Sequence, residues 1–245
     1  MDVDLTGRAA VVTGGTAGIG LAVATALTGL GASVLVTYGR DRERADRVVA
    51  ELGPGASAVE ADNGRPGTAR LVIDAAVERF GRLDIVVANA GETGRSPVGS
   101  TEAGTYDRIF DANVRSVWEL REACVPVLGE GGRVVLLSSV RTIMNTPETG
   151  LYAASKAAVE AMVPIVAKEL GPRGVTVNAV APGATDTALL RSVNDQDAID
   201  AMAAVTPLGR VGRPDDIAGL VAYLATPAAG WVTGQVIGAT GGLGL

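Results

Sequence analysis

The chain has 245 residues, 47% of them hydrophobic, with 21 Lys or Arg against 27 Asp or Glu and a net charge of −6. No stretch gathers its Lys or Arg into a basic block, which argues against nucleic acid or an anionic membrane as partner. There is no histidine, which removes His-based hydrolase triads, the usual catalytic zinc sites and histidine-ligated haem, and leaves Tyr, Lys, Asp, Glu or Cys as general acid or base.

In chain order, the opening residues MDVDLTGRAA have neither a basic n-region nor an apolar h-region, so no secretion signal is expected. A first strand is predicted over 8–13. It runs into TGGTAGIG (13–20) and a helix over about 18–29. Gly14, Gly18 and Gly20 have the spacing GxxxGxG, which suits a sharp strand-to-helix turn and close backbone approach. Free N–H groups at the helix start would meet a pyrophosphate. The second strand, 33–37, ends in LVTYGRDR. No acid stands at its end, and Arg40 is placed to meet a 2′-phosphate, so NADP(H) is favoured over NAD(H). Asp41 reads as the N-cap of a helix over about 41–52. The third strand, 56–61, is followed by Asp62, which suits either an adenine amino group or a strand-end turn.

A helix over about 66–80 leads to a strand at 84–88, then to a helix over about 101–128 and a strand at 133–138. That strand ends in VVLLSSV, so Ser138 or Ser139 presents a hydroxyl at the edge where α/β sheets bind ligands. The next helix, about 152–170, carries Tyr152 and Lys156 at i and i+4, on one face. Lys156 is one of only two lysines, the other 19 basic residues being Arg. A compact ammonium that can exchange protons is expected to lower the phenol pKa and make it a usable acid or base. Pro164, inside the same helix, is expected to affect packing rather than chemistry. A strand at 175–180 is followed by a less regular insert, 184–210, at the position of a substrate lid. A helix over about 214–225 and a strand at 235–239 close the chain. The strands are nearly continuous apolar runs, as in a parallel sheet covered on both faces. The fold class expected is α/β: one domain, a doubly wound (Rossmann) parallel seven-stranded sheet with helices on both faces.

Together these stretches resemble the short-chain dehydrogenase/reductase family in its compact single-domain branch, nearest in type to β-ketoacyl and polyketide ketoreductases. TGGTAGIG is similar to TGxxxGxG, ANAG (88–91) to NNAG, YAASK to YxxxK, and APG followed by Thr187 to PGxxxT. The C-terminal stretches PLGRVGRPDDIAGLVAYLAT and TGQVIGATGG are also of that kind. The resemblance implies a catalytic set: Ser139 holding the carbonyl oxygen, Tyr152 as general acid, Lys156 lowering its pKa and bonding the nicotinamide ribose, and Asn113 holding a relay water. It implies cofactor contacts from Gly14, Thr16, Gly18, Ile19, Gly20, Tyr38, Arg40, Asp62, Asn63, Asn89, Gly91, Tyr152, Lys156, Pro182, Gly183, Thr185 and Thr187. Asn113 also reads simply as a polar residue inside a helix. Departures from the pattern are Ala17, where NADP enzymes often have Arg or Lys, Ala88 for Asn, Arg141 near a usual Gly, and Thr240 for Asp.

The function implied is NADP(H)-dependent hydride transfer between nicotinamide and a ketone or secondary alcohol, with no metal. An NAD-dependent alcohol dehydrogenase and a non-catalytic dinucleotide sensor remain alternatives. A nucleotide-sugar epimerase or dehydratase would need a second domain. In the insert, Leu189, Leu190, Val193, Ile199 and Met202 form an apolar stripe that suits substrate or core. Arg95, Arg141 and Glu148 fall at the pocket rim by position. One cysteine, Cys124, excludes an internal disulfide and suits the cytoplasm. No long apolar run suggests a membrane span. The family implies a homotetramer, with Trp118 and Met162 as candidate interface residues.

Overall fold

The structure is a computed structural model describing residues 2–244. Seven strands form one parallel sheet: β1 (Ala9–Val12), β2 (Ser33–Tyr38), β3 (Ala56–Glu60), β4 (Leu83–Ala88), β5 (Leu128–Leu137), β6 (Thr176–Pro182) and β7 (Val236–Ala239), in the order β3-β2-β1-β4-β5-β6-β7. This is the expected doubly wound α/β fold. The order reverses between β1 and β4, where the two halves part and a crevice opens at the strands' C-terminal ends.

Side-chain alternation along the strands divides the core in two. Val11, Val134 and Leu136 face one layer, with α3 (Thr68–Phe80), α5 (Ser116–Cys124) and α7 (Gly150–Leu170). Val12, Val135 and Leu137 face the other, with α1 (Gly18–Gly29) and α10 (Pro214–Ala225). Between β2 and β3 lies α2 (Arg42–Leu52). α7 presents Val159, Val163, Val166 and Leu170 to the first layer, a spacing that keeps one stripe inward. By length and composition the segment Gly150–Arg173 would also suffice to cross a membrane, but its apolar stripe packs on the sheet as a core helix does. The helix runs unbroken through Pro164, which is exposed.

Two predicted boundaries are corrected. The helix expected over 101–128 starts only after Gly104, which has φ +79°, and consists of α4 (Thr105–Phe110), one π-helical turn (Asp111–Arg115) and α5. β5 begins at Leu128 instead of 133, because Gly129, Gly131 and Gly132 hide a strand that nevertheless pairs Leu128 with Leu83. A short α6 (Arg141–Met144) follows β5. The insert 184–210 contains two helices, α8 (Ala188–Val193) and α9 (Gln196–Val205).

Candidate active site

Three strand ends are joined at the crevice. Thr13 Oγ1 accepts hydrogen bonds from the N–H groups of Asn89 and Ala90, each at 3.0 Å. Asn89 Nδ2 donates back to the Thr13 carbonyl at 2.9 Å, and the Gly14 N–H donates to Thr37 Oγ1 at 2.8 Å. The turn into α1 needs its glycines. Gly14 and Gly18 have φ of +64° and +53°, and a Cβ on Gly20 would lie 2.3 Å from the Gly14 carbonyl oxygen.

α1 starts without a side-chain cap. Ala17 has no oxygen to offer, and the first turn holds no acid. The N–H groups of Gly18, Ile19 and Gly20 and the positive dipole end therefore remain open to an anion. Thr16 is half-buried beside them, and Thr187 Cγ2 stands 3.1 Å from where a Gly18 Cβ would be. That cradle fits a dinucleotide pyrophosphate. Further along the edge, Pro182 ends β6 and Gly183 abuts Thr240. The buried Thr185 donates to the Gly183 carbonyl at 3.0 Å, and Thr187 caps α8 by accepting from the Leu190 N–H at 3.2 Å.

At the end of β2, Tyr38 accepts from the Ala61 N–H at 2.8 Å, and Arg40 is exposed, with no ion pair among the described residues. Asp41 caps α2 through the Arg44 N–H at 2.9 Å, as its sequence position predicts. Asp62 makes the strand-end turn, accepting from the Gly64 N–H at 3.0 Å. Asn63 lines a small cavity with Thr68, Ser116 and Glu119.

Tyr152 and Lys156 lie on the first turns of α7, and Lys156 is only 5% exposed. The choice between the two serines is decided by their partners. Ser138 Oγ donates to Glu160 Oε1 at 2.6 Å, whereas Ser139 Oγ accepts from the Arg141 N–H at 3.2 Å and lies near the Tyr152 phenol. The site thus brings Ser139, Tyr152 and Lys156 to one end of the sheet.

The expected coupling of phenol and ammonium is corrected. Burial pushes the Tyr152 phenol up. The nearby Ser139 hydroxyl and Arg141 charge oppose that shift without reversing it. Lys156 Nζ instead donates to the Leu137 carbonyl at 2.8 Å, and burial brings its pKa down to about 8. Asn113, fully buried, is also more occupied than expected. Its Oδ1 accepts from the Glu92 N–H at 2.8 Å, and its Nδ2 donates to the Glu92 carbonyl at 2.8 Å and to Ser155 Oγ at 3.0 Å. Asn113 therefore clamps the 91–92 segment to α7. A Cβ on Gly91 would come within 2.7 Å of Asn113 Oδ1 and 3.3 Å of Lys156 Nζ.

Two features escaped the sequence. Asn113 sits in the π-helical turn, where the Ser116 N–H reaches back five residues to the Asp111 carbonyl, and such turns often mark functional positions. Glu160, four residues past Lys156, holds both Ser138 Oγ and Thr142 Oγ1, the latter at 3.0 Å, and so grips the chain on either side of Ser139. Its i+4 spacing from Lys156, on a face otherwise facing the core, was the available signal. Of the rim candidates, Arg95 and Glu148 pair with each other at 3.0 Å. In the insert, Ile199 is buried while Leu189 and Val193 are more than half exposed, so the apolar stripe is divided between core and surface. Among the described residues no group of His, Cys, Asp or Glu could hold a metal ion.

The model of a family described as enoyl-(acyl carrier protein) reductase matches residues 14–244. An uncharacterised oxidoreductase of Methylorubrum extorquens is 42% identical, over 98% of both chains. Versicolorin reductase of Emericella nidulans is 39% identical, over 97% of this chain and 96% of its own. A crystal structure of a short-chain dehydrogenase from Burkholderia cenocepacia in complex with NADP superposes with a TM-score of 0.92 at 38% identity, over 97% of this chain and 98% of its own.

Proposed function

The chain belongs to the short-chain dehydrogenase/reductase family of oxidoreductases, and from that premise we propose that it reduces a ketone to a secondary alcohol with NADP(H). The observation that carries the reading is the meeting of Ser139, Tyr152 and Lys156 beside the uncapped start of α1. The Burkholderia relative binds NADP, and versicolorin reductase is by name a reductase. When bound, the nicotinamide supplies the hydride.

The chain's own residues do the rest. The Ser139 and Tyr152 hydroxyls, near each other at the end of the sheet, would both donate to a carbonyl oxygen set between them and steady the charge that develops there. The Tyr152 O–H bond breaks as the alcohol O–H forms, and solvent returns the proton. Burial keeps the phenol in its neutral, proton-bearing form, which suits reduction better than the reverse. Gly14, Thr16, Gly18, Ile19, Gly20, Asn89, Gly91, Pro182, Gly183, Thr185 and Thr187 would hold the cofactor along the edge, with Lys156 beside Gly91. The insert 184–210 would serve as the substrate lid.

Arg40 is the group that would select the 2′-phosphate, since it is free while Asp41 is spent on its cap. Arg40→Ala is expected to raise the KM for NADPH about ten-fold and leave that for NADH unchanged. Parallel assays of both cofactors with a panel of ketones test the whole reading. An absence of turnover with either, or a clear NADH preference, contradicts it.

The same reading includes a homotetramer. Of the expected interface residues Trp118 is exposed on α5, whereas Met162 packs against the core and its neighbour Ile165 is the exposed apolar residue of α7; Trp231 and Val236, the latter on the edge strand β7, are also exposed. Two such surfaces, each pairing with its own copy, would generate a tetramer rather than a dimer. Sedimentation velocity should show about four times the chain mass, and a monomer would contradict it. The cytoplasm suits the lone Cys124, whose thiol is buried and pushed up to about 12; cell fractionation checks that placement.

A further inference from the structure

Arg95, Arg108, Arg141 and Arg191 are among the arginines on the segments that leave the C-terminal ends of β4, β5 and β6. Three are neutralised. Arg95 pairs with Glu148 at 3.0 Å, Arg108 with Glu92, and Arg191 with both oxygens of Asp186 at 2.7 and 2.8 Å. The fourth, Arg141, is half-buried. Its guanidinium donates to the hydroxyl of Thr146, a neutral partner, and no carboxylate among the described residues lies within 4.0 Å. Its backbone N–H donates to Ser139 Oγ, which fixes the residue beside the reacting pair. A partly desolvated cation without a counter-charge is unfavourable, and a guanidinium fork offers several N–H donors matched to anionic oxygens.

We propose that Arg141 binds an acidic oxygen of the substrate, distinct from the carbonyl that is reduced, so that the preferred substrates are ketones bearing an ionised phenol, enol or carboxylate. The inference rests on the carbonyl reduction proposed above. An acidic oxygen seated on Arg141 would orient the ketone toward Ser139 and Tyr152, and the paired state of the other three arginines leaves this one free to do so. Its charge already acts on the Tyr152 phenol, which is consistent with its closeness to the reacting groups.

Calorimetric titration with 2-naphthoate and its neutral amide, each in the presence of NADPH, separates this inference from the reduction reading because it needs no turnover. Wild type should bind the naphthoate about ten-fold or more tightly than the amide. Arg141→Met should abolish that difference, and Arg141→Lys should restore part of it. No preference for the naphthoate in wild type, or a preference that survives Arg141→Met, overturns the proposal. A preference that depends on Arg141 in a protein that reduces no ketone would sustain this site and sink the reduction reading.

Discussion

Tyr152→Phe is expected to lower ketone reduction about 10³-fold, within the range for loss of a positioned general acid, while leaving the fold intact. The change removes one oxygen from a ring packed at the start of α7. What is lost is the proton donor and half of the pair that would hold the carbonyl oxygen. Ser139 keeps its bond from the Arg141 N–H, so its hydroxyl stays in place and supplies the residual activity. Initial rates of NADPH oxidation, with a thermal melt as control, check this. A variant within about three-fold of wild type would remove Tyr152 from the reaction.

Lys156→Met is expected to lower activity about 10- to 100-fold, the worth of one charged hydrogen bond to the cofactor, with little change in stability at pH 7. A buried ammonium brought down from its ordinary value to about 8 costs the folded state about 3 kcal/mol near neutrality, by the relation between pKa shift and free energy. Removing it relieves that cost. It also leaves the Leu137 carbonyl without its donor, a penalty of about 1–3 kcal/mol, so the two roughly cancel. The pH dependence tells them apart. The folded-state pKa lies below the unfolded one, so between about pH 8 and pH 10.5 the unfolded chain binds the extra proton. Wild-type stability should therefore rise with pH through that window relative to Lys156→Met. Denaturant unfolding at pH 7, 8.5 and 10 measures the difference. Parallel curves for the two proteins would show that Lys156 is not buried as described.

Much of this architecture could be read from residue pattern alone. Buried parallel strands need apolar runs, and runs such as AAVV and VVLL leave few other ways to pack. The glycine turn was legible because Gly14, Gly18 and Gly20 answer to backbone φ and to clashes that spacing reveals. The start of β5 was not, since its glycines carry no strand signature and its pairing with Leu83 is a long-range fact. The proposed catalytic residues were legible as types at fixed spacing, but their electrostatics were not. A four-residue separation puts Tyr152 and Lys156 on one face without saying where either polar atom points. Only the packed structure shows Lys156 Nζ turned to the Leu137 carbonyl and the phenol buried against Ser139. Asn113 was recognisable by its motif, yet its clamp on Glu92 depends on a π-helical turn that no periodicity announces. Glu160 and the uncompensated Arg141 belong to the same class: their meaning lies in which partners surround them.

Ultraviolet difference titration of phenolate formation bears most directly on the protonated Tyr152. The chain has only four tyrosines, so the contribution lost in Tyr152→Phe can be isolated. A Tyr152 signal that develops above the ordinary phenol range of about 10 is the expected result. A phenolate at Tyr152 appearing near pH 7 would contradict it.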